Sequence, residues 1–295
     1  MKMKGIYQSQ SLSKQIFLLF MLIFVCFTVA NLIGLSGSLL FGVTSLTDLQ
    51  DEKTIFLMKF LQGLSSAGLF ILPPFLFAYL TGNSLSFKPV SRQQILLSAV
   101  LMFFAMPLIN GMSAWNEQLH LPSFLASVED WMRGAEAQAK EITEAFLAVS
   151  TPLGLAVNIL IIAIIPALGE ELLFRGVIQK ELTKWSGKIH LSIWITAFLF
   201  SAIHLQFLGF FPRFLIGGLL GYLFYWSGSI WLPILAHFVN NATAVVLSYM
   251  VLNGRISDDV ETIGVHEGQS AMVFLSLASV GLLVYLLKEI SHNKA

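Results

Sequence analysis

Six residues with reactive or strongly polar side chains lie in segments that are otherwise apolar: Glu170, Glu171, Arg175, His204, His237 and Asn241. A charged side chain in mid-membrane costs about 2.5–3.5 kcal/mol on insertion scales, so each needs a partner or a purpose. Arg175 follows Glu171 by about one helical turn, so the two share a face and can pair. Glu170 points about 100° away around a helix of 3.6 residues per turn and has no partner on its own segment. An unpaired carboxylate in apolar surroundings holds a proton more tightly than in water, which suits a general base working near neutral pH. The competing reading is a carboxylate that marks the end of a span and sits in water. Glu170 and His204 are equidistant along the chain from Gly187. Two antiparallel helices joined near that glycine would therefore bring them to similar depth. His237 and Asn241, one turn apart, present two hydrogen-bond donors on one face. Such a pair can stabilise an oxyanion as a carbonyl is attacked, or can serve only as a helix–helix hydrogen bond. A base, a histidine and a donor pair are the parts needed to add water to a carbonyl. Glutamate with two histidines could instead hold zinc with an open position, although no His-Glu-x-x-His pair is present.

The elements that must position these residues are membrane helices. The chain has 295 residues, 56% hydrophobic and 12% charged, whereas soluble domains are about 25% charged. A spanning helix needs about 20 apolar residues. Eight segments qualify: 16–35, 60–80, 95–112, 153–174, 190–207, 210–226, 230–252 and 270–287, the sixth being the weakest. This predicts an all-α, polytopic membrane protein of about eight transmembrane helices. Pro166, one turn before Glu170, should kink the fourth span and free backbone carbonyls. Basic loops alternate with acidic ones. Lys2, Lys4 and Lys14 precede the first span, Lys88 and Arg92 the third, and Lys180, Lys184 and Lys188 the fifth; Lys288 and Lys294 follow the last. The 113–150 and 253–269 segments carry mostly Asp and Glu. By the positive-inside rule, both termini are cytosolic. The 113–150 segment has apolar residues at helical spacing. It reads either as amphipathic helices on the outer interface or as a hairpin packed on the protein.

A single cysteine, Cys26, excludes an intrachain disulfide and a cysteine metal cluster. Zero formal net charge gives no signal for nucleic acid. The apolar run after Lys14 exceeds a signal-peptide core of about 7–15 residues and is expected to remain as the first helix. Gly217 and Gly221 form a G-x-x-x-G for close helix packing, and Arg213 is expected to snorkel to the interface. The chain divides into residues 1–150, with three spans and the outer amphipathic segment; 151–252, the core with the reactive residues; and 253–295, an outer loop and last helix. Together they form one integral membrane domain.

Glu170-Glu171-x-x-x-Arg175, Phe200-x-x-x-His204 and His237-x-x-x-Asn241 resemble, in order, the three motifs of the CPBP family. These are the CAAX proteases and bacteriocin-processing proteins, also called Abi, related to the type II CAAX prenyl endopeptidases. The resemblance covers about residues 150–252. It implies an eight-helix intramembrane endopeptidase with a cavity open to the cytosolic side. By that resemblance Glu170 activates water, His204 positions it, and His237 with Asn241 forms the oxyanion hole. Glu171 and Arg175 are then orienting partners. It implies a glutamate-activated water with no required cofactor or metal; if a metal is used, Glu170, His204 and His237 would be its ligands. The expected substrate is a membrane-anchored or hydrophobic peptide in a bacterial inner membrane, other than a prenylated CAAX tail. The rival functions are a catalytically silent scaffold or bacteriocin-immunity protein, and a transporter or proton relay.

Overall fold

The structure is a computed structural model that describes residues 4–41, 46–266 and 268–292. Lys2 and Lys294 of the basic tails lie outside the described residues. The described residues are helical and contain no strand. In chain order the helices are α1 (Leu12–Phe41), α2 (Glu52–Thr81), α3 (Arg92–Glu117), α4 (Ala126–Leu147) and α5 (Pro152–Ser186). They continue as α6 (Ile189–Ala202), α7 (Phe210–Ser227), α8 (Trp231–Leu252) and α9 (Ser270–His292). All except α4 and α6 are long and apolar enough to cross a membrane, seven helices among the described residues. The protein is therefore an integral membrane protein.

The all-α polytopic fold of about eight helices stands, with two bounds shifted. The segment 190–207 forms a shorter apolar helix of 14 residues that stops at Ala202. The weakest segment by hydropathy, 210–226, forms the complete helix α7. The reason is local. Leu205 takes a left-handed backbone with φ 53°, which ends the helix as an αL residue does. The His204 ring bonds through Nδ1 to the Phe200 carbonyl at 2.8 Å, satisfying one of the orphan carbonyls of the last turn. His204 thus stands just beyond α6 and caps it.

Pro166 acts differently from a simple kink. Helix α5 continues through it with a π-helical turn at Ile159–Ile164. In an α-helical pattern residue 166 would donate to the Ile162 carbonyl, and proline has no N–H to give. Asn241 Nδ2 from α8 donates to that carbonyl instead, at 3.3 Å. A second π turn, Phe174–Gln179, follows the reactive residues. Such turns mark functional stretches of helices.

Two matched rows of side chains lock α5 to α7. Arg175 Nη2 donates to Gly217 O at 2.8 Å, and Gln179 Nε2 donates to Gly221 O at 3.1 Å. The donors and the acceptors are each one turn apart, so the helices meet in register. Both glycines also face α6. A Cβ at Gly221 would lie 2.8 Å from Ile193 Cγ2 and 2.9 Å from Gln179 Oε1, and one at Gly217 3.2 Å from the Ala197 backbone. Gly221→Val is expected to push α7 off α5 and α6. It should lower stability by about 1–3 kcal/mol from overpacking, read as a lower thermal midpoint in detergent. An unchanged midpoint would show that the helices are not in this contact.

Candidate active site

Helices α5 and α8, with the end of α6, bring the chemistry together. Glu170 Oε2 lies 4.0 Å from His204 Nε2 and 4.0 Å from His237 Nε2. It is buried and has no hydrogen-bond partner within the protein. Arg175 Nη1 donates to Glu171 Oε1 at 2.7 Å, and both side chains are fully buried. The same carboxylate oxygen lies 2.8 Å from His237 Nδ1. Glu171 therefore serves two helices, neutralising Arg175 on its own and orienting a histidine on α8. Phe200 is the floor of the site. Arg175 lies over its ring at 4.7 Å, a cation–π contact, and the rings of His204 and His237 meet it at 5.3 and 5.9 Å.

These bonds fix which ring nitrogen faces the site. A neutral histidine whose Nδ1–H donates to a carbonyl or carboxylate has its lone pair on Nε2. His204 is bound this way by Phe200 O, and His237 by Glu171. Both Nε2 lone pairs then point toward Glu170. Neutral His237 is an acceptor at the site, so it can serve an oxyanion only when protonated at both nitrogens, with Glu171 as counter-ion. Asn241 spends one amide hydrogen on Ile162 O and keeps the other. Its Oδ1 accepts from Asn240 Nδ2 at 3.1 Å.

The donor set Glu170, His204, His237 is chemically suited to zinc. Bonds of about 2.0 Å in a tetrahedron place ligand atoms about 3.3 Å apart, whereas here both histidine nitrogens are 4.0 Å from the carboxylate oxygen. Among the described residues no three such side chains close tightly enough to hold one ion. The wider spacing matches a water molecule at ordinary hydrogen-bond lengths.

A cavity of about 330 Å³ meets the site, with Glu170, His204, His237 and Asn241 in its wall. Arg213 lines it too. Arg213, expected from sequence to snorkel, donates from Nη1 to Gln206 O at 2.9 Å and sits beside the cavity. A lone cation in an apolar helix, shortly before G-x-x-x-G, was the only signal for it. From the reactive centre the cavity extends past Arg213 to Gly209 and Ser113. These residues sit at the ends of α3 and α7 farthest from Arg92 and Ser227. Lys88, Lys180 and Lys184 gather at the opposite end, where Lys180 bonds Ser84 O and Lys184 bonds Asn83 Oδ1. By the positive-inside rule the lysine-bearing face is cytosolic, and the family resemblance implies a cytosolic opening; the lining residues Ser113, Gly209 and Arg213 lie toward the other end of the bundle.

Fold and site define an all-helical integral membrane protein with a buried carboxylate–imidazole centre. Within it, residues 152–243 match the family model described as type II CAAX prenyl endopeptidase Rce1-like. That stretch contains all six of the reactive residues. Over 89 residues the chain is 32% identical to the uncharacterized protein YpbD of Bacillus subtilis (strain 168), covering 29% of this chain and 42% of that protein. The chain thus spans less than half the length of this curated relative. No solved structure matches.

Proposed function

We propose that this protein is an intramembrane endopeptidase that hydrolyses a peptide bond with a glutamate-activated water. The observation that carries the reading is the convergence of Glu170 Oε2 with two imidazole lone pairs, each 4.0 Å away, beside a cavity. The Rce1-like match over the same segment supports a protease of the CAAX type. In this reading water lies between Glu170 and the two Nε2 atoms. Glu170 takes one proton as the water oxygen attacks the scissile carbonyl carbon. The resulting oxyanion accepts from the free N–H of Asn241 and from His237 when that ring is protonated. The proton on Glu170 then passes to the leaving amine as the C–N bond breaks.

The substrate is a membrane-anchored or hydrophobic peptide, and the membrane is a bacterial inner membrane. Purified protein in liposomes should cleave members of a panel of membrane-anchored peptides at defined bonds. Asn241→Ala is expected to lower kcat by about 10²–10³, the usual cost of one oxyanion donor. It should change KM less, while loss of the bond to Ile162 O lowers the thermal midpoint without unfolding the protein. A KM effect alone would remove Asn241 from the chemistry.

The reading uses no metal. Treatment with a zinc chelator should leave turnover unchanged. Stoichiometric zinc in the purified protein, lost in both His204→Ala and His237→Ala, would replace the glutamate mechanism with a metal one. A transporter or relay would show instead as proton or solute flux in liposomes that depends on Glu170.

A further inference from the structure

The two ends of the helical bundle are unlike, and the difference bears on how anything reaches Glu170. At the lysine-bearing end a separate cavity of about 370 Å³, lined by Lys88, Gln179, Lys180 and Lys184, shares no lining residue with the reactive centre. Leu85, Val177, Phe224, Ile230 and Ile234 belong to one buried apolar cluster. They lie between the reactive centre and the end where Lys88, Lys180 and Lys184 gather. The fully buried Glu171–Arg175 pair adds a second barrier. That end is also tied together by backbone acceptors: Ser229 Oγ donates to Lys88 O, and Ile230 N to Ser86 O at 2.9 Å.

Toward the other end the cavity is continuous with the site. Its wall there is made by Ile109, Ser113, Gly209, Pro212 and Arg213. Helix α4 lies across this end. Trp131 meets the Phe207 ring at 5.7 Å, and Glu136 Oε2 accepts from Leu208 N at 3.4 Å. Asn116 fixes the same turn, donating to Phe207 O at 3.1 Å and accepting from Phe211 N at 2.9 Å. This end carries more acids than cations, with Glu117, Glu136 and Asp259 among the acids and Lys53, Arg133, Lys140 and Arg255 among the cations. Lysine and arginine near span ends mark the cytosolic side, whereas acids contribute little to orientation. Lys88, Arg92, Lys180, Lys184 and Lys188 cluster at the end away from this cavity.

We propose that the site opens on the non-cytosolic face of the membrane, beneath α4. Its substrate would be an apolar peptide segment presented from that face, as in an exported or outward-facing membrane protein. The word substrate rests on the endopeptidase reading; the side of the opening does not.

Cysteine labelling separates the two. In a Cys26→Ser background, single cysteines would be placed at Ala137 on the exposed face of α4, at Ser113 in the cavity wall, and at Lys188 on the lysine-bearing end. A membrane-impermeant maleimide is then added to right-side-out and to inside-out vesicles. Ala137→Cys and Ser113→Cys should label in right-side-out vesicles and lose that labelling in inside-out ones, with Lys188→Cys the reverse. Labelling of Lys188→Cys in right-side-out vesicles overturns the orientation. Labelling of Ser113→Cys only from the side that reaches Lys188, or from neither side, overturns the opening. Should Ser113→Cys fail to accumulate, Ile109→Cys probes the same wall. If the labelling is as expected and no peptide is cleaved from either side, the opening stands and the endopeptidase reading falls.

Discussion

Glu170→Gln is expected to abolish peptide cleavage while leaving the protein as stable as before. General-base catalysis is worth about 10²–10⁴ in rate, and here the base also holds the nucleophile, so the loss should reach at least the upper part of that range. Glutamine keeps the size and one acceptor oxygen but cannot take a proton from water. The unchanged stability follows from the geometry. Glu170 Oε2 is buried without a hydrogen-bond partner in the protein, and its imidazole neighbours stand 4.0 Å away. No internal bond is lost, and a buried charge is removed. The measurement pairs cleavage in liposomes with a thermal midpoint in detergent. Full activity in Glu170→Gln would end the glutamate mechanism. A variant that cleaves nothing yet keeps the cellular phenotype would favour a binding protein over an enzyme.

The opposite pattern is expected one residue on. Glu171→Ala should unfold the protein more readily, by about 3–5 kcal/mol, because removing one partner of a buried pair leaves the other charge uncompensated. Arg175 would keep only Gly217 O and the face of Phe200. His237 would lose the carboxylate that sets its tautomer. Glu171→Gln separates the two effects. Its amide oxygen can still accept one bond, so the fold should suffer less while activity falls. The double variant Glu171→Ala with Arg175→Met should be less destabilised than the sum of the single changes, since the residues are in contact. Strict additivity in a double-mutant cycle would mean that the pair is not coupled in the folded protein.

Much of this was legible because membrane burial makes polar residues conspicuous. The pairing of Glu171 with Arg175 needed only their one-turn spacing. The closeness of Glu170 and His204 needed only their equal distance from Gly187, where α5 and α6 meet at a left-handed glycine. Less legible were features set by backbone detail. Sequence periodicity carried α6 through His204, because hydropathy has no sign for the left-handed Leu205 that ends the helix. It foresaw that Pro166 would free carbonyls, but not that Asn241, three helices further along the chain, would satisfy one of them. Arg213 looked peripheral because one cation in an apolar helix has no direction until its neighbours are placed.

Composition and spacing thus determined by themselves that this is a helical membrane protein, and which carboxylate lacks a partner on its own helix. Both follow from the cost of polar groups in hydrocarbon and from the 3.6-residue turn, which are local. Tertiary structure alone decided that Glu171 holds His237, that both imidazoles turn Nε2 toward Glu170, and that a cavity lined by Arg213 meets the site. Those depend on contacts between helices far apart in the chain, whose rotation and depth no single segment encodes.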